Sequence, residues 1–183
     1  MKRFILFLLN GILVFSLTWC SNPGQNDSSS DTSAQRKTRP SQESWDSEIY
    51  LTKLGVRNAI IHSGHLEQYN QQDRVQMNEG VKADFFKDND HMSTLTADSA
   101  VVFQKRNIMH AYKNVIVHSD SGVTLYTERI SYSQKTEKIT SDTMVTMTTR
   151  TDTLHGIGFE SNLDLTQWKI KQPWGVTTRE MKK

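Results

Sequence analysis

The chain of 183 residues carries 22 Lys and Arg against 20 Asp and Glu, and Lys2 and Arg3 account for the whole excess. The portion from Cys20 onward is therefore neutral. It lacks the positive field with which nucleic-acid-binding proteins neutralise phosphates, which argues against that class of function. The single cysteine excludes an intramolecular disulfide and a cysteine-based zinc site.

The N-terminus, residues 1–20, is predicted to be an export signal or a membrane anchor. The basic residues Lys2 and Arg3 precede 16 uncharged residues from Phe4 to Trp19. A spanning helix needs roughly 20 apolar residues, so a cleaved signal peptide is favoured. Leu17 to Cys20 resembles a bacterial lipobox, although a tryptophan replaces the usual small residue before the cysteine. We expect lipidation of Cys20, with an uncleaved anchor as the alternative.

A polar linker is predicted over residues 21–44. Serine, asparagine, aspartate and glutamine dominate this segment, and almost nothing in it is apolar. Such a segment cannot offset its own ordering entropy by burial. The domain is therefore expected to lie outside the cytoplasm, attached to a membrane but at some distance from it.

Residues 45–177 are predicted to form one all-β domain, followed by a polar tail at 178–183. Ten threonines lie between Ser121 and Thr153. Short strand-like segments occur at Val115–His118, which is rich in β-branched residues, and at Val145–Thr148, where apolar residues alternate with threonine. Three clusters of turn-forming residues separate the strands: Asp88–Asp90, Ser119–Gly122 and Gln134–Glu137. The segment from Glu43 to Leu54 is compatible with a helical turn or a strand.

The β domain contains an internal repeat of about 30 residues. Successive spacings of 29, 30 and 29 residues separate Leu66, Leu95, Leu125 and Leu154. A unit of this length holds two or three strands and cannot bury its own apolar face, so the units must stack. The predicted fold is an open, twisted β-jelly roll made of tandem β repeats.

A corner is expected within each repeat. Leu95 and Ala100 are separated by an odd number of residues, as are Leu125 and Ile130, which places them on opposite faces of a regular strand. A bulge or bend restores both to the interior. The residues predicted to line the interior are Leu95, Ala100, Val102, Val115, Val117, Leu125, Ile130, Tyr132, Val145 and Met147. For any one of them, core packing is the simpler interpretation than ligand contact.

An enzymatic function is not expected. The close pair His62 and His65 points to opposite faces of a strand, which disfavours a shared metal site. The sequence contains no nucleophile elbow, metalloprotease motif or P-loop. Gly156 and Gly158 suit a bend in a strand better than a phosphate-binding loop. No cofactor or metal is predicted.

Three segments give the chain a resemblance to a known family: Leu95–Ala100, Ser141–Met147 and Leu154–Phe159. Together with the N-terminal attachment signal, they resemble the LptC family, periplasmic proteins of lipopolysaccharide export that are related to the LptA/OstA-type β-jelly-roll repeat. The resemblance covers Tyr50 to Val176. Many members keep an uncleaved transmembrane helix, whereas the short apolar segment here ends in Cys20.

The resemblance implies a protein at the periplasmic face of the inner membrane of a Gram-negative bacterium. Such a protein links an inner-membrane ABC transporter, which supplies the ATP chemistry, to an LptA-like β-jelly-roll protein. It implies that the interior residues named above hold the acyl chains of lipopolysaccharide. It also implies that the next jelly roll binds at the C-terminal edge, at Leu154, Gly156, Gly158, Phe159, Leu163 and Leu165. The alternative is a structural or adhesive envelope lipoprotein that uses the β repeats as a spacer.

Overall fold

The protein, represented here by a computed structural model, is described over residues 39–174. Within that range the chain forms ten β-strands and one short 3-10 helix at Asn70–Gln72, with no α-helix. The strands are β1 (Gln42–Lys53), β2 (Val56–Tyr69), β3 (Arg74–Lys87), β4 (Asp90–Ala97), β5 (Ser99–Phe103), β6 (Ile108–Ser119), β7 (Thr124–Ser133), β8 (Lys138–Thr148), β9 (Thr153–Asn162) and β10 (Trp168–Trp174).

All ten strands belong to one antiparallel sheet in the order β1-β2-β3-β4-β6-β7-β8-β9-β10, with β5 continuing β4 between β3 and β6. Strands that follow each other along the chain therefore pair directly, as in a series of hairpins. The all-β jelly-roll prediction is confirmed. The ambiguous segment after Glu43 is strand β1, which begins at Gln42 inside the segment predicted to be linker. The predicted signal at 1–20 and tail at 178–183 lie outside the described residues.

A crease runs across the sheet and divides the strands into two halves. The pairing register shifts between Ser63 and His65 on β2 and between Tyr112 and Val115 on β6, and Asp98 separates β4 from β5. Residues with positive φ mark the same line: Asp46, Glu79, Gly80, Lys113, Asn114 and Gly158. Bulges of this kind bend a strand sharply. We call the half that contains Leu95 and Leu125 layer A, and the half that contains Ala100 and Ile130 layer B.

The core lies between the two layers. Leu95 and Leu125 in layer A, and Ala100 and Ile130 in layer B, are all 2 % exposed or less. The predicted corner within each repeat is therefore confirmed, because both members of each pair are interior. The two layers also meet directly, since the rings of Phe85 and Tyr132 lie 5.8 Å apart between centroids.

The repeat is real, but its first unit has a different register from the one predicted. One row of side chains crosses layer A through paired positions: Ile61, Ala83, Leu95, Val117, Leu125, Met147 and Leu154. The predicted first member, Leu66, lies five residues beyond Ile61, across the crease in layer B. Each unit contributes two successive positions in the strand order, and β4 and β5 together fill one of them.

Candidate functional site

The mouth between the layers, at the strand ends farthest from the crease, contains an open cavity of about 200 Å³. Strand ends of β2 and β3 supply one wall, and those of β5, β6 and β7 supply the other. The inner walls are apolar and include Ile61, Phe85, Val102, Met109 and Tyr132. Side-chain amides line the cavity beside the turns, at Asn58, Gln104, Asn107 and Gln134.

The lining of the cavity is uncharged and mostly apolar, which suits an apolar ligand group. None of its lining residues carries a charge. Burial raises the pKa of the Tyr132 phenol, and the nearby Glu137 carboxylate raises it further, so Tyr132 stays neutral. Sites for drug-sized ligands occupy roughly 300–1,000 Å³. The cavity is smaller than these sites, so its volume matches only part of a ligand of that size.

Two arginines neighbour the amides in sequence. Arg57 precedes Asn58, and its guanidinium lies 4.0 Å from the centre of the Phe86 ring. Arg106 precedes Asn107 and lies 3.8 Å from the centre of the Phe103 ring. Stacking on an aromatic face fixes the planar guanidinium while its N–H groups remain suited to phosphate or carboxylate. The two arginines are thus adjacent in sequence to residues of the cavity, but neither of them lines it.

Elsewhere the mouth is closed by the β9–β10 connection, residues 163–167, which we call the closing loop. The Ser93 hydroxyl donates a hydrogen bond of 2.8 Å to the Leu163 carbonyl, and the Ser119 hydroxyl donates one to the Asp164 carbonyl. Leu165 is fully buried as part of the core. At this end the space between the layers is filled by side chains.

One cluster within residues 39–174 has the composition of a metal site. Ligand atoms of Glu43, His65 and Glu67 lie within 4.8 Å of one another on β1 and β2. His65 is hydrogen-bonded to Glu43 at 2.8 Å and stacks on Trp45, while Tyr69 donates a hydrogen bond to Glu67. These contacts account for the arrangement as a polar network on the outside of the sheet.

A second network resembles a hydrolytic triad in composition only. His91 lies 2.8 Å from Asp120 through one ring nitrogen and 3.1 Å from the Thr94 hydroxyl through the other. The Thr94 hydroxyl, however, donates its proton to Asp84 at 2.6 Å. A nucleophilic hydroxyl must instead direct its proton to the base. This geometry does not activate Thr94.

Comparison with known protein families decides the identity of the chain. Residues 5–178 match the family described as "LptC: Lipopolysaccharide-assembly, LptC-related". The chain belongs to the LptC family. The resemblance predicted from the three sequence segments is thus confirmed over nearly the whole chain. A search of curated proteins found no match.

As an LptC-family protein, the chain takes part in lipopolysaccharide transport. Members of this family are in general non-enzymatic components of lipopolysaccharide transport, anchored in the inner membrane and facing the periplasm. Within residues 39–174 there is no helix long and apolar enough to cross a membrane.

The interior residues predicted for this LptC-family chain divide into two groups. Val102 and Tyr132 line the open cavity and are partly exposed. The other eight are 2 % exposed or less and pack in the closed core: Leu95, Ala100, Val115, Val117, Leu125, Ile130, Val145 and Met147. Sequence reasoning missed Ile61, Phe85 and Met109. The apolar run Ala59–Ile61 was a signal that could have placed Ile61 in a buried strand.

The residues predicted to bind a partner lie beside the C-terminal edge rather than on it. Leu154, Gly156, Gly158 and Phe159 belong to β9, and Leu163 and Leu165 to the closing loop, whereas the edge strand is β10. A Cβ atom on Gly156 would meet the Ile170 side chain at 2.1 Å. Gly156 therefore permits the close approach of β10, and Gly158, with φ of 75°, forms part of the crease.

Proposed function

We propose that this protein receives lipopolysaccharide from an inner-membrane ABC transporter and passes it to an LptA-like β-jelly-roll protein. The observation that carries the proposal is the open cavity, where apolar walls meet side-chain amides beside the turns. An amphiphile matches this arrangement, with an acyl chain against Val102 and Tyr132 and its sugars and phosphates in water. Each buried methylene contributes about 0.8 kcal/mol, so retention needs no chemical step.

The two free edges of the sheet supply the contacts with the partners. Among the strands of residues 39–174, β1 and β10 each pair with one neighbour and have no strand partner on the other side. Such edges accept a strand from another protein. We assign β1, the strand that follows the linker, to the transporter. We assign β10, with the adjacent Leu154–Leu165 segment, to the soluble jelly roll.

The attachment to the inner membrane is proposed to involve acylation of Cys20. A single acyl chain holds a protein only marginally, so several chains or a spanning helix are needed for a firm anchor. Mass spectrometry of the mature N-terminus tests this point. A cysteine with a lipid adduct at the first position supports acylation, while an intact Met1 segment supports an uncleaved anchor.

Site-specific photo-crosslinking in cells tests the lipid site. A photoreactive residue at Val102 is expected to give lipopolysaccharide adducts, because this position lines the open cavity. The matched control is Tyr126, which is 45 % exposed on the outer face of the sheet. Adducts at neither position, while protein crosslinks form normally, would refute lipid binding in the cavity.

A second crosslinking pair tests the edge assignment. Gln172 lies on the edge strand β10, whereas Thr146 lies on β8, which is paired on both sides. We expect a soluble jelly-roll protein to crosslink to Gln172 and not to Thr146. Equal capture at both positions would contradict strand addition at β10.

The tightly packed end of the domain favours a second candidate, an envelope lipoprotein in which the repeats act as a spacer. Eight of the ten interior residues predicted to hold lipid are closed off from solvent. Isolation of the full chain from membranes separates the two functions. Co-isolation of an ABC transporter supports transfer, while its absence together with retained membrane attachment supports the spacer.

A further inference from the structure

The closing loop occupies a specific position in the fold. It connects β9 to β10 at the end of layer B that lies farthest from the crease. From there it crosses to layer A and contacts Ser93 in the first half of β4. We infer that this loop is a movable cover over a second apolar segment between the two layers. This segment and the open cavity together form one groove, and the covered segment binds an acyl chain when the loop is displaced. The inference rests on the proposed function and specifies how the same groove is regulated.

Two buried serines form the socket for the loop. Ser93 and Ser119 are 0 % exposed and pair with each other across β4 and β6. A hydroxyl in an apolar interior is costly unless it is hydrogen-bonded. Ser93 donates to the Leu163 carbonyl of the loop. Ser119 donates to the Asp164 carbonyl and is also hydrogen-bonded to the hydroxyl and the backbone N–H of Ser121. Ser121 adds a third bond, of 3.3 Å, to the Asp164 carbonyl.

The loop holds a strained residue in its closed position. Leu165 has φ of 54°, in the left-handed region, although it is fully buried. That backbone conformation is unfavourable for a residue with a Cβ atom. Burial of the leucine and the serine bonds offset this strain. The closed position therefore depends on the burial of Leu165 and on the hydrogen bonds from the serines.

The loop is tied together internally, so it can move as a unit. The Asp164 carboxylate accepts bonds from the Thr166 backbone and hydroxyl at 3.1 and 2.7 Å. The Asn162 side chain accepts a bond of 2.9 Å from the Gln167 backbone. Because these bonds lie within residues 162–167, they persist when the bonds to Ser93 and Ser119 break.

A row of apolar side chains connects the open cavity to the buried core. The row that begins at Ile61 in the cavity wall continues to Leu125 and Met147, both 0 % exposed. The visible cavity has room for only part of a drug-sized ligand, whereas the full row spans layer A from β2 to β9. Leu165 belongs to the same core cluster as Leu125 and Met147, so in the inferred open position its displacement adds apolar length for a longer acyl chain.

The test uses the full chain in detergent with cis-parinaric acid as the fluorescent acyl probe. In the double variant Ser93→Ala/Ser119→Ala the loop loses two of its three bonds from serine hydroxyls. We expect about thirtyfold tighter probe binding, since the two lost bonds together are worth about 2 kcal/mol. The matched control is Ser141→Ala. Ser141 is also buried, but it bonds to Thr127 and Thr143 instead of the loop. It is expected to bind the probe like the wild type.

Hydrogen exchange of the loop amides supplies the second measurement. The probe should accelerate exchange at residues 163–167 of the wild type at least tenfold, and the double variant should exchange fast without it. Wild-type probe binding with a protected loop and no gain in the variant would overturn the inference and leave the proposed function intact. Absence of probe binding by every variant would overturn both.

Discussion

The two ends of the mouth differ although the strands that form them follow the same pattern. At the N-terminal end, Val102 and Tyr132 line a cavity open to solvent. At the C-terminal end, Leu165 fills the corresponding space between the layers. Alternation along the strands sends apolar residues inward at both ends. The difference lies in the connections, because a short turn joins β5 to β6 whereas the closing loop reaches across to layer A. Connections thus decide whether an inward-facing surface becomes a site or a core.

The largest effect is expected from Ile130→Asp, in the closed region. Ile130 is 1 % exposed, and a carboxylate there has no partner, so we expect a loss of more than about 4 kcal/mol in the free energy of unfolding. The control is Ile116→Asp on the outer face, where Ile116 is 37 % exposed. Urea unfolding followed by circular dichroism measures both. A folded Ile130→Asp protein of normal stability would show that this region is open.

One substitution made at both ends sharpens the comparison. Val145→Ala, in the closed core, should cost about 2–3 kcal/mol, because it removes buried methyl groups and leaves a cavity. Val102→Ala should cost less than about 1 kcal/mol, because part of its side chain already faces the open cavity. Chemical denaturation of the two variants gives the difference. Equal losses would contradict the division of the groove into open and closed parts.

A smaller loss is expected from Gly156→Ala, which tests the C-terminal edge. The new Cβ atom would lie 2.1 Å from Ile170 and 2.8 Å from the Gln172 carbonyl, so β10 must shift, at a cost of about 1–3 kcal/mol. Hydrogen exchange should then accelerate in β10. Gly64→Ala is the matched change near the other edge, since its Cβ atom would lie 2.5 Å from the Glu79 carbonyl. That variant should leave β10 protected, and acceleration there would contradict a local effect.

The smallest effect concerns acid stability on the outer face. Burial raises the pKa of Asp84, but hydrogen bonds from Lys82 and Thr94 outweigh it and hold this pKa below its ordinary value of 3.8. The folded state therefore binds the proton more weakly than the unfolded state does. The resulting stability is present above about pH 4 and is lost as the pH falls through the folded pKa. Asp84→Asn should flatten the acid limb of a melting-temperature profile. An unchanged limb would contradict this contribution.

Much of the fold was predictable because it depends on local patterns. The turn clusters Asp88–Asp90, Ser119–Gly122 and Gln134–Glu137 do connect strands, since they contain residues that favour turns. The odd spacing between Leu95 and Ala100 located the crease. The position of Leu66 was wrong because β2 supplies both Ile61 and Leu66 to the interior on opposite sides of its bulge, and spacing alone does not choose between them.

The division of the site could not be predicted because it depends on distant pairs. The closing loop is held by serines that lie 70 and 45 residues away along the chain. From the sequence, a serine in a β-strand is expected to face solvent. Ser93 on β4 and Ser119 on β6 nevertheless face the interior. Likewise, the cavity joins Phe85 to Tyr132 from two layers, and no periodicity relates those positions.

The crease has a mechanical consequence. Asp98 interrupts the strands, yet its carbonyl accepts a bond of 3.1 Å from Gly80 and its N–H donates one of 3.1 Å to Lys113. The Asp98 carboxylate also accepts a bond of 2.9 Å from the Asn114 amide. Hydrogen bonds thus connect neighbouring strands along the crease, and they resist a change in the angle between the two layers. In the proposed transfer function, lipid therefore enters at the strand ends farthest from the crease, and the angle between the two layers stays fixed.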